Sequence, residues 1–214
     1  MAVRKIPKNH LVVTGSFASR KNGQMDQFES LLEKEYLLLL DFDDSVERYE
    51  TQPVTIPIPG LANGYTPDVL VFYLSDHKPQ LTEIKHTDDL HRNADKYAPK
   101  FAAAEQYTLE RNWEFRIVTQ IDIRTPRLGN LKFLREYRNI EPAAQDCAEL
   151  VRLMKEAGGV SSPKTLLDQL ATSDDDRLYW LPVIWHSIVT RKIAADLDRP
   201  IDDNAALHLP QCVL

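Results

Sequence analysis

At 214 residues and a formal net charge of −6, the chain has room for one ordinary domain with a smaller companion, or for one larger domain. With 43% hydrophobic and 27% charged residues it has the balance of a globular protein, and no run approaches the ~18 apolar residues of a membrane span. The start, MAVRKIPKNH, has no apolar signal region, and Cys147 and Cys212 are too few for a disulfide framework or a zinc site. Those features give a cytoplasmic expectation.

Residues 1–24 carry Arg4, Lys5, Lys8, Arg20 and Lys21 and no acid, which reads as an irregular basic arm able to touch a phosphate backbone. Phe28, Leu31, Leu32, Tyr36, Leu39 and Leu40 then recur at helical spacing, predicting a helix over Met25–Leu40 with Glu29 and Glu33 on one face. Asp41 to Glu50 is acidic and turn-like, and Val46 begins an extended segment through Ile56. Pro57, Pro59, Gly60, Asn63 and Gly64 predict a loop.

Val69 to Leu74 and Leu81 to Ile84 read as two neighbouring strands joined by a polar turn. Beyond them the pattern predicts a helix over Ala94–Arg111, kinked or split at Pro99, a strand over Trp113–Ile123, and a short basic helix over Leu128–Tyr137. A composition break at Asn139 to Pro142 divides residues 1–139 from 140–214. Past it come helices over Ala144–Ala157, Lys164–Ala171 and Leu178–Leu197, then an extended tail at Ala206 to Leu209. Asp174-Asp175-Asp176 suit a helix N-terminus better than a metal site. The expected fold is an α/β mixed sheet flanked by helices, followed by a small all-α, winged-helix-like domain.

The chemistry centres on the strand pair. Asp68 opens the first strand after Pro67, and Glu83 and Lys85, two apart on the second, share a face of the sheet. Carboxylates gathered at one sheet edge suit a hard cation such as Mg2+, with oxygen ligands completed by water and phosphate. A lysine beside them can position or deprotonate the attacking water, or stabilise charge on a phosphate. The Pro67-Asp68 … Glu83-Ile84-Lys85 spacing is similar to the PD-(D/E)xK nuclease pattern. The net acidity does not exclude a nucleic-acid partner, because residues 111–138 hold seven basic residues against Glu114, Asp122 and Glu136.

Three ordered blocks, LLEKEYLLLLDFDDSVERYETQPVTI, YTPDVLVF and LTEIKH, resemble the catalytic domain of the TnsA transposon endonucleases, over roughly Phe28 to Asn139. Gap-free alignment on Gln52 puts the family's helix glutamate at Glu33 rather than Glu29. Asp68, Glu83 and Lys85 take the remaining positions. The resemblance implies a nuclease dependent on Mg2+, with Mn2+ as a substitute, that cuts double-stranded DNA at the 5′ ends of a transposon. Its implied partners are a DDE transposase and an AAA+ ATPase regulator. Glu33, Asp68 and Glu83 would ligate metal, Asp68 bridging two ions, and Lys85 would orient water. A stand-alone restriction-like or junction-resolving nuclease and a non-catalytic assembly adaptor are the alternatives.

Overall fold

The structure, a computed structural model, describes residues 13–74 and 76–210. Arg4, Lys5 and Lys8 of the expected arm, and Cys212, lie outside them. The helix expected over Met25–Leu40 is a hairpin followed by a shorter helix. Strand β1 (Gly15–Ser19) pairs antiparallel with β2 (Gln24–Phe28), and α1 runs over Leu31–Phe42. In β2 every second residue turns inward, burying Asp26 and Phe28, which is the period of a strand.

Ser30 starts α1 by capping it. The Glu33 N–H donates to Ser30 Oγ at 3.1 Å, and the Glu33 carboxylate accepts from Ser30 Oγ at 2.9 Å and from the Glu29 N–H at 2.7 Å. That reciprocal arrangement satisfies donors a helix start leaves open. Glu29 therefore precedes the helix and does not share a helix face with Glu33. Near the other end of α1, buried Asp41 accepts from the Arg20 N–H at 2.8 Å and from Ser19 Oγ at 3.3 Å, which ties the hairpin turn to the helix.

Strand β3 (Val46–Thr51) is followed by a second hairpin, β4 (Ile56–Ile58) with β5 (Leu61–Tyr65), where a loop was expected. Gly60 and Gly64 supply the positive φ values of 82° and 61° that it needs. The isolated two-stranded pairing tolerates Pro57, which has no N–H to donate. Strands β6 (Val69–Tyr73) and β7 (Gln80–Ile84) stand where expected. Helix α2 (Thr87–Arg92) and helix α3 (Ala94–Leu109), with Pro99 inside it, lead to β8 (Glu114–Val118). β8 is shorter than expected because Thr119 and Asp122 form a capping box that opens α4 (Gln120–Ile123).

The four-stranded sheet has the order β3-β6-β7-β8. Its first two pairings are antiparallel, and β7–β8 is parallel, with Glu83 opposite Ile117. A parallel pair needs a crossover, and α2 and α3 make it. Leu70 and Leu81 pack with Ala104 of α3, Ile56 and Tyr65. This is the mixed sheet flanked by helices that the sequence implied.

One compact unit ends at Arg124 and a second begins at Thr125, ahead of the expected division at 139/140. Helix α5 (Pro126–Leu134) runs into a 3-10 turn at Arg135–Asn139. Fully buried Leu134 joins a core with Leu150 and Met154 of α6 (Ala144–Glu156), Leu166 of α7 (Pro163–Leu170) and Ile184 of α8 (Asp174–Val189). The composition break thus falls inside this unit.

The second unit is not purely helical. β9 (Val160–Ser161), β10 (Ala194–Ala195) and β11 (Leu207–His208) form an antiparallel sheet ordered β10-β11-β9. The triplet Asp174–Asp176 occupies the first turn of α8, where Asp176 and Ser173 cap each other. Among the described residues no helix is long and apolar enough to cross a membrane.

Candidate active site

The β6–β7 register sets the site. Val69 faces Thr82 and Leu70 faces Leu81, so the same register carried one residue further puts Asp68 opposite Glu83. The Asp68 N–H donates to the Thr82 carbonyl at 3.1 Å. Lys85 lies just past β7, and its N–H donates to the Val118 carbonyl at 3.1 Å, which holds this end of the strand against β8. Alternation then places the Glu83 and Lys85 side chains together.

The Lys85 ammonium stands between two carboxylates. Nζ is 2.7 Å from Glu83 Oε1 and 3.4 Å from Asp68 Oδ2, and it also donates to the Ile84 carbonyl at 3.0 Å. Asp68 Oδ2 accepts the Ile84 N–H at 2.7 Å. Glu83 Oε2 accepts the Tyr65 O–H at 2.7 Å. The side chain of Glu83 is 4% exposed against 15% for Asp68 and 23% for Lys85. The lysine therefore faces the mouth of the site and Glu83 its floor.

Glu33 reaches the site from the first turn of α1. With Lys85, Ser30, His86, Asp89 and Arg92 it lines a cleft of about 360 Å³. Among the described residues it makes no hydrogen bond to Asp68, Glu83 or Lys85, and charge is what connects it to them. Burial, then the negative charge of Asp68, pushes the Glu33 carboxyl up to about 7. The same two causes in the same order push Glu83 up to about 7. Burial also raises Asp68, against the pull of Lys85. Burial opposes the charge on Lys85, but Asp68 and Glu83 outweigh it and hold the ammonium above its ordinary value. In the metal-free site the two carboxylates thus favour the charged form of Lys85.

Three further residues belong to this constellation. Tyr65 orients Glu83. Glu29, between β2 and α1, accepts from the Gln52 amide at 2.9 Å. Gln52 itself donates its N–H to the Asp68 carbonyl at 2.8 Å. The sequence offers Glu29 only as the rival of Glu33 and Gln52 only as an alignment anchor, and it carries no signal for Tyr65; the buried contacts show what each one holds. Around the mouth, Asp89 accepts from the Tyr97 O–H at 2.5 Å, and that bond holds its carboxyl below the usual range.

The donor set suits a hard divalent cation. Three carboxylates share a desolvated site in which burial and mutual repulsion resist their ionisation, and a cation would relieve both. Buried Gln52 Oε1 is left without a hydrogen-bond partner among the described residues and suits the O–H of a hydrated ion. No three Asp, Glu, His or Cys side chains among the described residues are grouped to surround one ion. A cation here would complete its shell with water and phosphate oxygens, as Mg2+ usually does.

Residues 43–120 match the family model described as TnsA-like endonuclease N terminal, and residues 122–197 match the one described as TnsA endonuclease C terminal. The first match contains Asp68, Glu83 and Lys85, whereas Glu29 and Glu33 lie ahead of it. No curated protein matches the chain. The two matches lie in order, each almost wholly within one compact unit, and with the mixed sheet they establish that the chain belongs to the TnsA family of transposon endonucleases.

Proposed function

We propose that this chain is a divalent-metal-dependent endonuclease that hydrolyses DNA at the 5′ ends of a transposon. It acts beside a DDE transposase that cuts and joins the 3′ ends, under an AAA+ ATPase regulator. The observation that carries the reading is the Lys85 ammonium placed between Asp68 and Glu83 where β6 begins and β7 ends. Glu33, Asp68 and Glu83 would hold Mg2+, which supplies charge stabilisation at the scissile phosphate and a more acidic water.

The chain's own groups do the rest. The Ile84 N–H aims Asp68, and Tyr65 aims Glu83. Lys85 brings a positive charge to the attacking water or the phosphate oxygens, and the N–H in its long 3.4 Å contact with Asp68 is the donor most readily redirected to them.

The second unit supports a partner-binding role. From α6 onward its order of helix, strand, helix, helix, strand, strand is compatible with a winged helix. The last helix, α8, opens on three aspartates and exposes Leu178 and Tyr179. Acids there repel a phosphate backbone, which favours a protein as the partner of that surface.

Loss of the Asp68 carboxylate is the test. If only the 5′ strand is cut here, Asp68→Ala leaves 3′ joining intact, and the donor stays attached through uncut strands. Long-read sequencing of insertion products is expected to give cointegrates with Asp68→Ala and simple insertions with wild type. Simple insertions at the wild-type share would overturn the reading.

A further inference from the structure

Gln52 closes strand β3 in a conformation that an L-residue avoids. Its φ is 48°, in the left-handed region that favours glycine, and it is only 7% exposed. A polar side chain that is both strained and buried needs a reason.

Its contacts point to one. The backbone N–H donates to the Asp68 carbonyl at 2.8 Å, and Nε2 donates to Glu29 Oε1 at 2.9 Å. Glu29 in turn gives its own N–H to Glu33 Oε2 at 2.7 Å. One residue thus connects the strand end that carries Asp68 with the chain entering α1. Oε1, the other half of the same amide, has no hydrogen-bond partner among the described residues. A buried carbonyl oxygen left unpaired costs roughly 1–3 kcal/mol.

We propose that Gln52 is a positioning residue of the cleavage site, fixing the Glu29 carboxylate beside Asp68 and offering Oε1 to a water of the hydrated cation. The unpaired acceptor and the strained backbone then have a common explanation. The amide is held where a bound ion's water can donate to it, and the turn is held where the N–H reaches Asp68. Glu29 enters the site as a fourth carboxylate, carried on the β2–α1 junction and aimed by an amide. This inference rests on the metal-nuclease reading of the site.

The test separates the backbone from the amide. Gln52→Gly keeps the left-handed turn, which glycine adopts without strain, and removes the side chain. Mn2+ binding is followed by electron paramagnetic resonance on the full chain, alongside thermal melting without metal. Removing a group that orients metal ligands typically weakens affinity about 10–100-fold, and a loss in that range is expected for Gln52→Gly. Glu29→Gln and the double variant complete a cycle. Since Gln52 acts partly through Glu29, the double variant is expected to bind more tightly than the product of the two single losses predicts.

Wild-type Mn2+ affinity in Gln52→Gly would overturn the inference. So would strictly multiplicative losses in the double variant. If Gln52→Gly is too unstable to assay, Gln52→Met, similar in length and lacking the amide, is read by the same criteria. Absence of Mn2+ binding by wild type would instead overturn the metal-nuclease reading, so the two failures are distinguishable.

Discussion

Asp68, Glu83 and Glu33 crowd three negative charges around one ammonium, and burial makes the crowding costly. Glu33 and Glu83 sit at about 7 against an ordinary 4.5. Between those values the folded protein keeps protons that the unfolded chain has released. Linkage then gives the sign: stability of the metal-free protein falls as pH rises from about 5 through 7 and levels off above it. Melting temperatures across that range measure this, and millimolar Mg2+ is expected to recover most of the loss at the alkaline end. A melting temperature that rises over the same range without metal would contradict the assigned electrostatics. That Glu83 and Lys85 share a face beside Asp68 was legible from strand alternation, whereas Glu33 came from the family resemblance alone. Tyr65 and Gln52 were legible in neither way. Their importance comes from a hydrogen bond to Glu83 in one case, and from bonds to Glu29 and Asp68 in the other. No local pattern encodes contacts made across strands.

Element boundaries went astray where two periods coincide. Met25, Phe28, Leu31 and Leu32 fit helical spacing, yet Asp26 and Phe28 are the inward residues of a strand. Five residues are too few for strand alternation to stand out from a helical stripe that continues it. The start of α1 was nevertheless written in the sequence as Ser30 followed three residues later by Glu33, a capping pattern. The β4–β5 hairpin was hidden by prolines and glycines that usually mark open loops. The cap makes a quantitative expectation. Ser30→Ala removes the acceptor for the Glu33 N–H and the hydroxyl that donates to its carboxylate, so stability should drop by ~1 kcal/mol. Urea unfolding reads it, and an unchanged midpoint and slope would show that the cap contributes nothing to α1.

At the scale of the whole molecule, the mixed sheet followed by a helical region was legible because long periodic stretches dominate both units. The division between them was not. Leu134 and Tyr137 look like the end of the first domain in sequence, but Leu134 is fully buried in the second core and the Tyr137 carbonyl lies 3.0 Å from His186 Nδ1. Stripping a leucine from a core typically costs 2–5 kcal/mol, and a cut at 139/140 removes Leu134 together with the packing of Tyr137. A 125–214 fragment is therefore expected to give a cooperative melt, and a 140–214 fragment a broad one or none. Equal melts from both would place residues 125–139 outside the second core.

Cleavage itself can be read strand by strand. A supercoiled donor with transposon ends, the partner transposase and Mg2+ provide the substrate, and the 5′ and 3′ termini are mapped separately. Asp68→Ala and Lys85→Ala are expected to lose 5′-end cleavage by roughly 10²-fold or more while 3′-end cleavage continues at the wild-type rate. Wild-type 5′ cutting by both variants would contradict the assignment of hydrolysis to this carboxylate–lysine site.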